Sequence, residues 1–135
     1  MAQPIAAYDM NLTQGAFIRI AGDILPDARH FSIDIGEDNS NFALHFNARF
    51  NYLGSHHVII CNTKRGDYFG RERKMKHFPF QRGARTEIFI AFDERFFVVK
   101  LHDGFVFSFL NRTDTERINY VGTHGDIAVR SLGFE

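Results

Sequence analysis

The segment that most clearly indicates the fold is residues 41–50, which read N-F-A-L-H-F-N-A-R-F. Apolar and polar side chains alternate there, and successive side chains of a β-strand point to opposite faces of its sheet. One face of this predicted strand is apolar and is expected to lie in the core: Phe42, Leu44 and Phe46. The other face carries an imidazole, an amide and a guanidinium in one row: His45, Asn47 and Arg49.

The same alternation, or a short apolar run, recurs along the chain. It is found at residues 17–21, 31–35, 58–62, 87–92, 96–101, 105–110 and 127–134. Asp103-Gly104 between two of these segments is a strong hairpin signal. No long segment has the apolar stripe of an amphipathic helix. Short strands at regular spacing predict an all-β fold, a sandwich or a barrel of antiparallel sheets.

Length and charge exclude several classes of protein. The 135 residues predict one domain, 1–135. The 16 basic and 16 acidic residues cancel, which argues against a general electrostatic attraction to nucleic acid or to an anionic membrane. No apolar run approaches the roughly 18 residues of a membrane-spanning helix, and no signal peptide is visible at the start. The single cysteine, Cys61, excludes an internal disulfide and is expected to be either a buried inert thiol or a reactive one.

The polar row of the 41–50 strand is suited to recognition rather than to covalent catalysis. His45, Asn47 and Arg49 are directional donors and acceptors with no nucleophile among them, as a polyhydroxylated ligand requires. The alternative is that a solvent-facing strand of an antiparallel sheet is usually polar in any case.

Two later segments strengthen the first interpretation. Asn62 ends an apolar run and is expected to reach the same surface. Residues 68–74 then combine the Phe69 ring with Glu72 and Lys74, and proteins hold sugars with an aromatic ring beside polar groups. A charged edge strand that deters aggregation is the alternative for this segment.

Taken in order, these residues resemble the galectins, a family of β-galactoside-binding lectins, over nearly the whole chain. Four patterns carry the resemblance: H-x-N-P-R (His45, Asn47, Arg49, with Ala48 at the proline position), V-x-N (Ile60, Cys61, Asn62), W-G-x-E-x-R (Phe69, Gly70, Glu72, Lys74), and F-P-F followed by glycine (Phe78, Pro79, Phe80, Gly83). The resemblance implies a jelly-roll-like sandwich of two antiparallel sheets and a lectin that is not an enzyme and needs no cofactor or metal.

The resemblance also implies a role for each site residue. His45, Asn47 and Arg49 would bind the axial 4-hydroxyl of galactose, whereas Asn62 and Glu72 would hold the 6-hydroxyl. Glu72 would also pair with Arg49. Phe69 would stack on the galactose ring, and Lys74 would contact the neighbouring glucose or N-acetylglucosamine; the seven predicted residues are His45, Asn47, Arg49, Asn62, Phe69, Glu72 and Lys74.

The sequence departs from the family pattern at the ligand-contacting positions themselves. Phe69 replaces a tryptophan with a smaller ring, and the chain contains no tryptophan at all. Lys74 replaces an arginine and cannot make a planar two-pronged contact. We therefore expect weakened or retuned binding of lactose or N-acetyllactosamine. The alternative is a galectin-fold structural or interaction protein that has lost lactose binding.

Partners and location are likewise implied by the resemblance. Single-domain galectins usually form non-covalent homodimers through terminal strands, here residues 5–12 and Ile127–Phe134, and such a dimer would cross-link glycans or glycoproteins. The family is cytoplasmic and also extracellular by a leaderless route, so the same is expected of this chain.

Rival classes fit the sequence less well. Intracellular lipid-binding β-barrels carry a helical pair after the first strand, whereas residues 15–40 read as strands and turns. No catalytic triad order, phosphate-binding loop or metal-spaced cluster indicates an enzyme.

Two clusters of potential ligands are not expected to bind a metal. The adjacent pair His56-His57 is predicted to lie in a solvated loop that begins at Asn51. An acidic turn is the simpler account of the second cluster, which comprises Asp34, Glu37 and Asp38.

Overall fold

The computed structural model describes residues 2–135, and regular structure in this range consists of β-strands. In chain order they are β1 (Ile5–Ala7), β2 (Phe17–Ile24), β3 (His30–Asp38), β4 (Asn41–Tyr52), β5 (Ser55–Arg65), β6 (Tyr68–Phe69), β7 (Arg73–Met75), β8 (Arg85–Phe92), β9 (Phe96–Lys100), β10 (Val106–Leu110), β11 (Tyr120–Gly125) and β12 (Ile127–Phe134). This part of the chain contains no helix with the length and apolar character needed to cross a lipid bilayer.

Within residues 2–135 the strands form two antiparallel sheets. The larger has the order β1-β11-β3-β4-β5-β6, with β7 also paired to β5, and the smaller has the order β10-β9-β8-β2-β12. Apolar side chains from both sheets form one buried cluster between them. The all-β sandwich of two antiparallel sheets is therefore confirmed.

Phenylalanine rings fill the middle of the sandwich. Phe46 of the larger sheet lies 6.4 Å, between ring centroids, from Phe31 on its own sheet and also 6.4 Å from Phe107 of the smaller sheet. Within the smaller sheet, Phe92 and Phe97 stack with their ring centroids 5.3 Å apart. Aromatic rings of this size suit a flat interface between two pleated surfaces, which explains the high phenylalanine count.

One residue of the predicted core faces the other way. The register of β4 against β5 shifts between Phe42 and His45, where three residue steps on β4 oppose two on β5. An extra residue of this kind, a β-bulge, reverses the alternation beyond it. Ala43 therefore joins the core, while Phe42 stacks on Tyr120 at 5.9 Å and lies on the same side as His45. Leu44 and Phe46 are fully buried as predicted.

One strand was not predicted from the sequence, and one loop was predicted wrongly. The missed strand is β11, whose two glycines weaken a strand pattern. The predicted terminal strand at residues 5–12 and the edge-strand alternative for residues 68–74 overlap β1, β6 and β7, although these strands have only two or three residues each. The predicted loop from Asn51 does not exist, because β4 continues to Tyr52 and β5 begins at Ser55. His56 and His57 are instead exposed residues of β5.

Of the two alternatives for Cys61, a buried inert thiol or a reactive one, the structure shows the buried thiol. Its side chain is fully buried in the core cluster, and burial raises the pKa of the thiol to about 12. The thiolate is the reactive form of cysteine, so this side chain is held in its unreactive state at neutral pH.

Candidate functional site

The outer face of the larger sheet carries a grid of polar side chains. The strand register places Asp34 opposite His45 and His45 opposite Asn62, so one row of the grid crosses β3, β4 and β5. Two further rows lie beside it and comprise Ser32, Asn47 and Ile60, and then His30, Arg49 and Val58. The polar row predicted on β4 is thus the middle column of a wider surface.

This grid forms the floor of an open groove of about 450 Å³. The residues that line it are His30, His45, Asn47, Arg49, Tyr52, Leu53, Ile60, Asn62, Phe69, Gly70 and Glu72. Every residue of the predicted site except Lys74 is among them. Lys74 is exposed on β7, where it pairs with Ile60, and it does not line the groove.

Asn47 is the most constrained side chain of the groove. It is only 2% exposed, and its Nδ2 donates to the Phe31 carbonyl at 3.0 Å and to His30 Nδ1 at 3.0 Å. Its Oδ1 accepts from Arg49 Nε at 2.8 Å. Both amide hydrogens are therefore used within the protein, so Asn47 meets a ligand only as an acceptor.

Arg49 is held by its neighbours on the hairpin rather than by Glu72. Besides the Asn47 contact, its Nη1 donates to Ser55 Oγ at 3.2 Å. Among residues 2–135 no ion pair joins Arg49 to Glu72, so the predicted bridge between them is absent. The remaining N–H groups of the guanidinium stay available to a ligand, because this side chain has five in all.

His45 is oriented from behind by a buried carboxylate. Its Nδ1 forms a short contact with Oδ1 of Asp34, whose side chain is 3% exposed. On the other side of Asp34, its Oδ2 lies 3.9 Å from Nε2 of His124 on β11. The Nε2 atom of His45 is left for a ligand.

Asn62 fixes the turn that carries the aromatic ring. Its Nδ2 donates to the Gly70 carbonyl at 3.0 Å, and its Oδ1 accepts from the backbone N–H of Thr63 at 2.7 Å. A Cβ at Gly70 would lie 2.7 Å from Thr63 Oγ1, so any other residue would force the Thr63 side chain or the turn to shift. Phe69 is thereby held 54% exposed with its ring 5.3 Å from the His45 ring.

The opposite end of the groove was not predicted from the sequence. His30 stacks on Tyr52 with ring centroids 3.7 Å apart and planes at 12°, and exposed Leu53 adjoins them. Burial lowers the pKa of His30, and the charge of Arg49 lowers it further while Asp126 opposes the change. Its Nδ1 accepts from Asn47, so the neutral ring carries its proton on Nε2. The alternation of β3 could have indicated His30, because a residue next to the core-facing Phe31 points to the outer face of the sheet.

The acidic residues of β3 do not form one turn. Asp34 lies in the middle of the strand and is buried, whereas Asp38 ends it and accepts from the backbone N–H groups of Ser40 and Asn41, both at 2.9 Å. The predicted acidic turn is therefore correct for Asp38, which caps the turn after β3, and wrong for Asp34. In the part of the chain that the structure describes, no three His, Cys, Asp or Glu side chains are placed to hold a metal ion.

Known proteins resemble this chain along its full length. The family model of the galactoside-binding lectins matches residues 5–134. Galectin-1 of Ovis aries is 40% identical over 135 residues, which is 100% of both chains. The structure of a toad ovary galectin in complex with thio-digalactose superposes with a TM-score of 0.96 at 35% identity and covers 100% of both chains. CG-16, a homodimeric agglutinin from chicken liver, gives 0.94 at 35% identity and covers 98% of this chain and 100% of its own.

Each of these similarities extends over nearly all of the chain, and the superpositions include the sheet that forms the groove. By family model, sequence identity and fold, the chain belongs to the galectins, a family of non-enzymatic lectins.

Proposed function

We propose that the groove binds β-galactosides through its polar row and stacks the sugar ring on Phe69. The observation that carries this proposal is the pre-set row of His45, Asn47 and Arg49 beside an exposed aromatic ring. The toad ovary galectin that this chain resembles is described in complex with thio-digalactose. That relative supports the same class of ligand here.

The hydrogen bonds within the protein define what a sugar hydroxyl would meet. Asn47 offers an acceptor oxygen and Arg49 offers spare N–H donors, while His45 presents one ring nitrogen. A hydroxyl both donates one hydrogen and accepts others, so it can satisfy groups of each kind at once. These side chains are already ordered, which lowers the entropic cost of binding.

Weakened binding is the finer part of the proposal. Phe69 presents a smaller face than tryptophan, and stacking beyond simple burial is worth only about 0.5–1.5 kcal/mol. Lys74 is outside the groove lining, so its contribution to a second sugar rests on a flexible, single-point donor.

Restoring the family residues is expected to tighten binding. The Phe69→Trp and Lys74→Arg double variant should bind lactose several-fold more tightly than the wild type, since about 1 kcal/mol corresponds to roughly fivefold. Isothermal titration calorimetry with lactose measures this, and Val106→Thr on the far sheet edge is a control that should leave affinity unchanged. Equal affinity of wild type and double variant would contradict the weakening.

A scaffold that has lost lactose binding is the second candidate, favoured by the two departures at Phe69 and Lys74. It predicts no heat and no chemical-shift change with lactose, N-acetyllactosamine or thio-digalactose, even at millimolar sugar. A glycan array with disaccharide competition separates this outcome from binding of a different galactoside.

We further propose a non-covalent homodimer through the terminal strands. β1 and β12 are edge strands of the larger and smaller sheet, and Ile5 and Phe134 on them are 36% and 38% exposed. Unpaired strand edges can extend a sheet into a second molecule. The described homodimeric state of CG-16 is consistent with this assembly.

Light scattering at micromolar concentration is expected to give twice the mass of one 15.6 kDa chain. Phe134→Asp should shift the protein to the monomer, because a charge would be placed at the apolar edge. Val106→Asp on β10, the opposite edge strand of the same sheet, is the matched control and should remain dimeric. A wild-type mass of one chain would contradict the proposal.

A further inference from the structure

The buried carboxylate behind His45 has a consequence for what the groove recognises. Asp34 and His45 are direct cross-strand partners on β3 and β4, and Asp34 Oδ1 contacts His45 Nδ1. The Asp34 side chain is 3% exposed and the His45 side chain 17%, so water has little access to this contact. Asn62 on β5 lies opposite His45, and the centroid of the Phe69 ring is 5.3 Å from that of the His45 ring.

The contact constrains the position of a proton. An ionised carboxylate only accepts hydrogen bonds, so the hydrogen between the two groups belongs to His45 Nδ1. In a neutral imidazole one nitrogen is a donor and the other an acceptor, and the partner of one nitrogen thus decides the character of the other. His45 Nε2 then carries a lone pair toward the groove.

We propose that Asp34 is a positioning residue that holds His45 in its Nδ1–H tautomer, so that the groove selects a ligand that donates a hydroxyl hydrogen to His45 Nε2. This inference rests on the proposed galactoside binding for its second half only. The tautomer itself is a property of the free protein.

The rest of the groove complements this requirement. The spare N–H groups of Arg49 donate, so a hydroxyl between the two side chains accepts from Arg49 and donates to His45. Fluorine in place of the hydroxyl accepts weakly and donates nothing. The tautomer therefore predicts strong discrimination between a galactoside and its 4-fluoro analogue.

The tautomer is measured directly by nitrogen-15 NMR of the imidazole in the free protein at slightly alkaline pH. We expect a protonated Nδ1 and an unprotonated Nε2 in the wild type, and a shift of the population toward Nε2–H in Asp34→Ala. Glu37→Ala removes an exposed carboxylate from the same strand and should leave the His45 signals unchanged. A wild-type spectrum with the proton on Nε2 would overturn the proposal, whether or not the Asp34 variant folds.

Sugar binding tests the second half of the proposal, the selection of a ligand that donates a hydroxyl hydrogen. Wild type should prefer lactose over 4′-deoxy-4′-fluorolactose by about tenfold or more, as for the loss of one hydrogen bond to a buried site. In Asp34→Ala we expect weaker lactose binding and a smaller preference, since Nε2–H donates to either ligand. An unchanged preference in the folded variant would overturn the positioning role. Absence of any lactose binding by the wild type would instead contradict the proposed function, with the NMR result still deciding the tautomer.

Discussion

Replacing Asn47 with alanine is expected to weaken lactose binding by about a hundredfold. The Asn47 side chain is the central connection of the groove, because it donates to the Phe31 carbonyl and His30 Nδ1 and accepts from Arg49 Nε. Its loss removes an acceptor for the ligand, frees Arg49 to move, and leaves a buried carbonyl without its donor. Two lost polar contacts of about 1.5 kcal/mol each give this magnitude.

The matched control is Asn51→Ala. Asn51 has the same side chain on the same strand and face, but it is exposed and does not line the groove. Calorimetric titration with lactose should therefore give wild-type affinity for this variant. If Asn51→Ala and Asn47→Ala lose affinity equally, the groove centred on Asn47 is not the sugar site.

Replacing Phe46 with alanine is expected to lower the free energy of unfolding by about 3–5 kcal/mol, the cost of a large cavity in a packed core. Phe46 is fully buried, and its ring lies within 6.4 Å of the ring centroids of Phe31, Phe80 and Phe107. Rings from both sheets line the space it would leave, so neither sheet can collapse into it without shifting the other.

Urea denaturation followed by tryptophan-independent signals, such as far-ultraviolet circular dichroism, measures this loss. Phe96→Ala is the control, because Phe96 is 38% exposed at the start of β9. It should cost less than about 1 kcal/mol, as is usual for surface substitutions. A loss for Phe46→Ala no greater than that of Phe96→Ala would contradict the central place of this ring in the core.

The period-two patterns predicted the long strands well, because their apolar faces are buried and burial requires strict alternation. They failed at Phe42, where a bulge reverses the alternation, and at β11, where glycines remove the side chains on which a pattern depends. The bulge is set by how β4 pairs with β5, and the side-chain pattern of β4 alone does not show this pairing. It is therefore a tertiary feature.

The site shows the same division. His45, Asn47 and Arg49 were found on one strand, since their common face follows from spacing alone. Asp34, His30 and Tyr52 were not assigned to the site, because they adjoin those residues across strands or around a hairpin. The predicted pairing of Glu72 with Arg49 is absent from the structure, where Arg49 instead donates to Asn47 and Ser55.

The chain lacks tryptophan, contains 16 phenylalanines and has no net charge. These properties and the order of the four motifs were determined by the sequence, and they were sufficient for the family and the fold class. The tertiary structure decided which side chains are free to meet a ligand. Hydrogen-bonding capacity depends on the groups that already use it, and those groups come from neighbouring strands: the Phe31 carbonyl for Asn47, and Asp34 for His45.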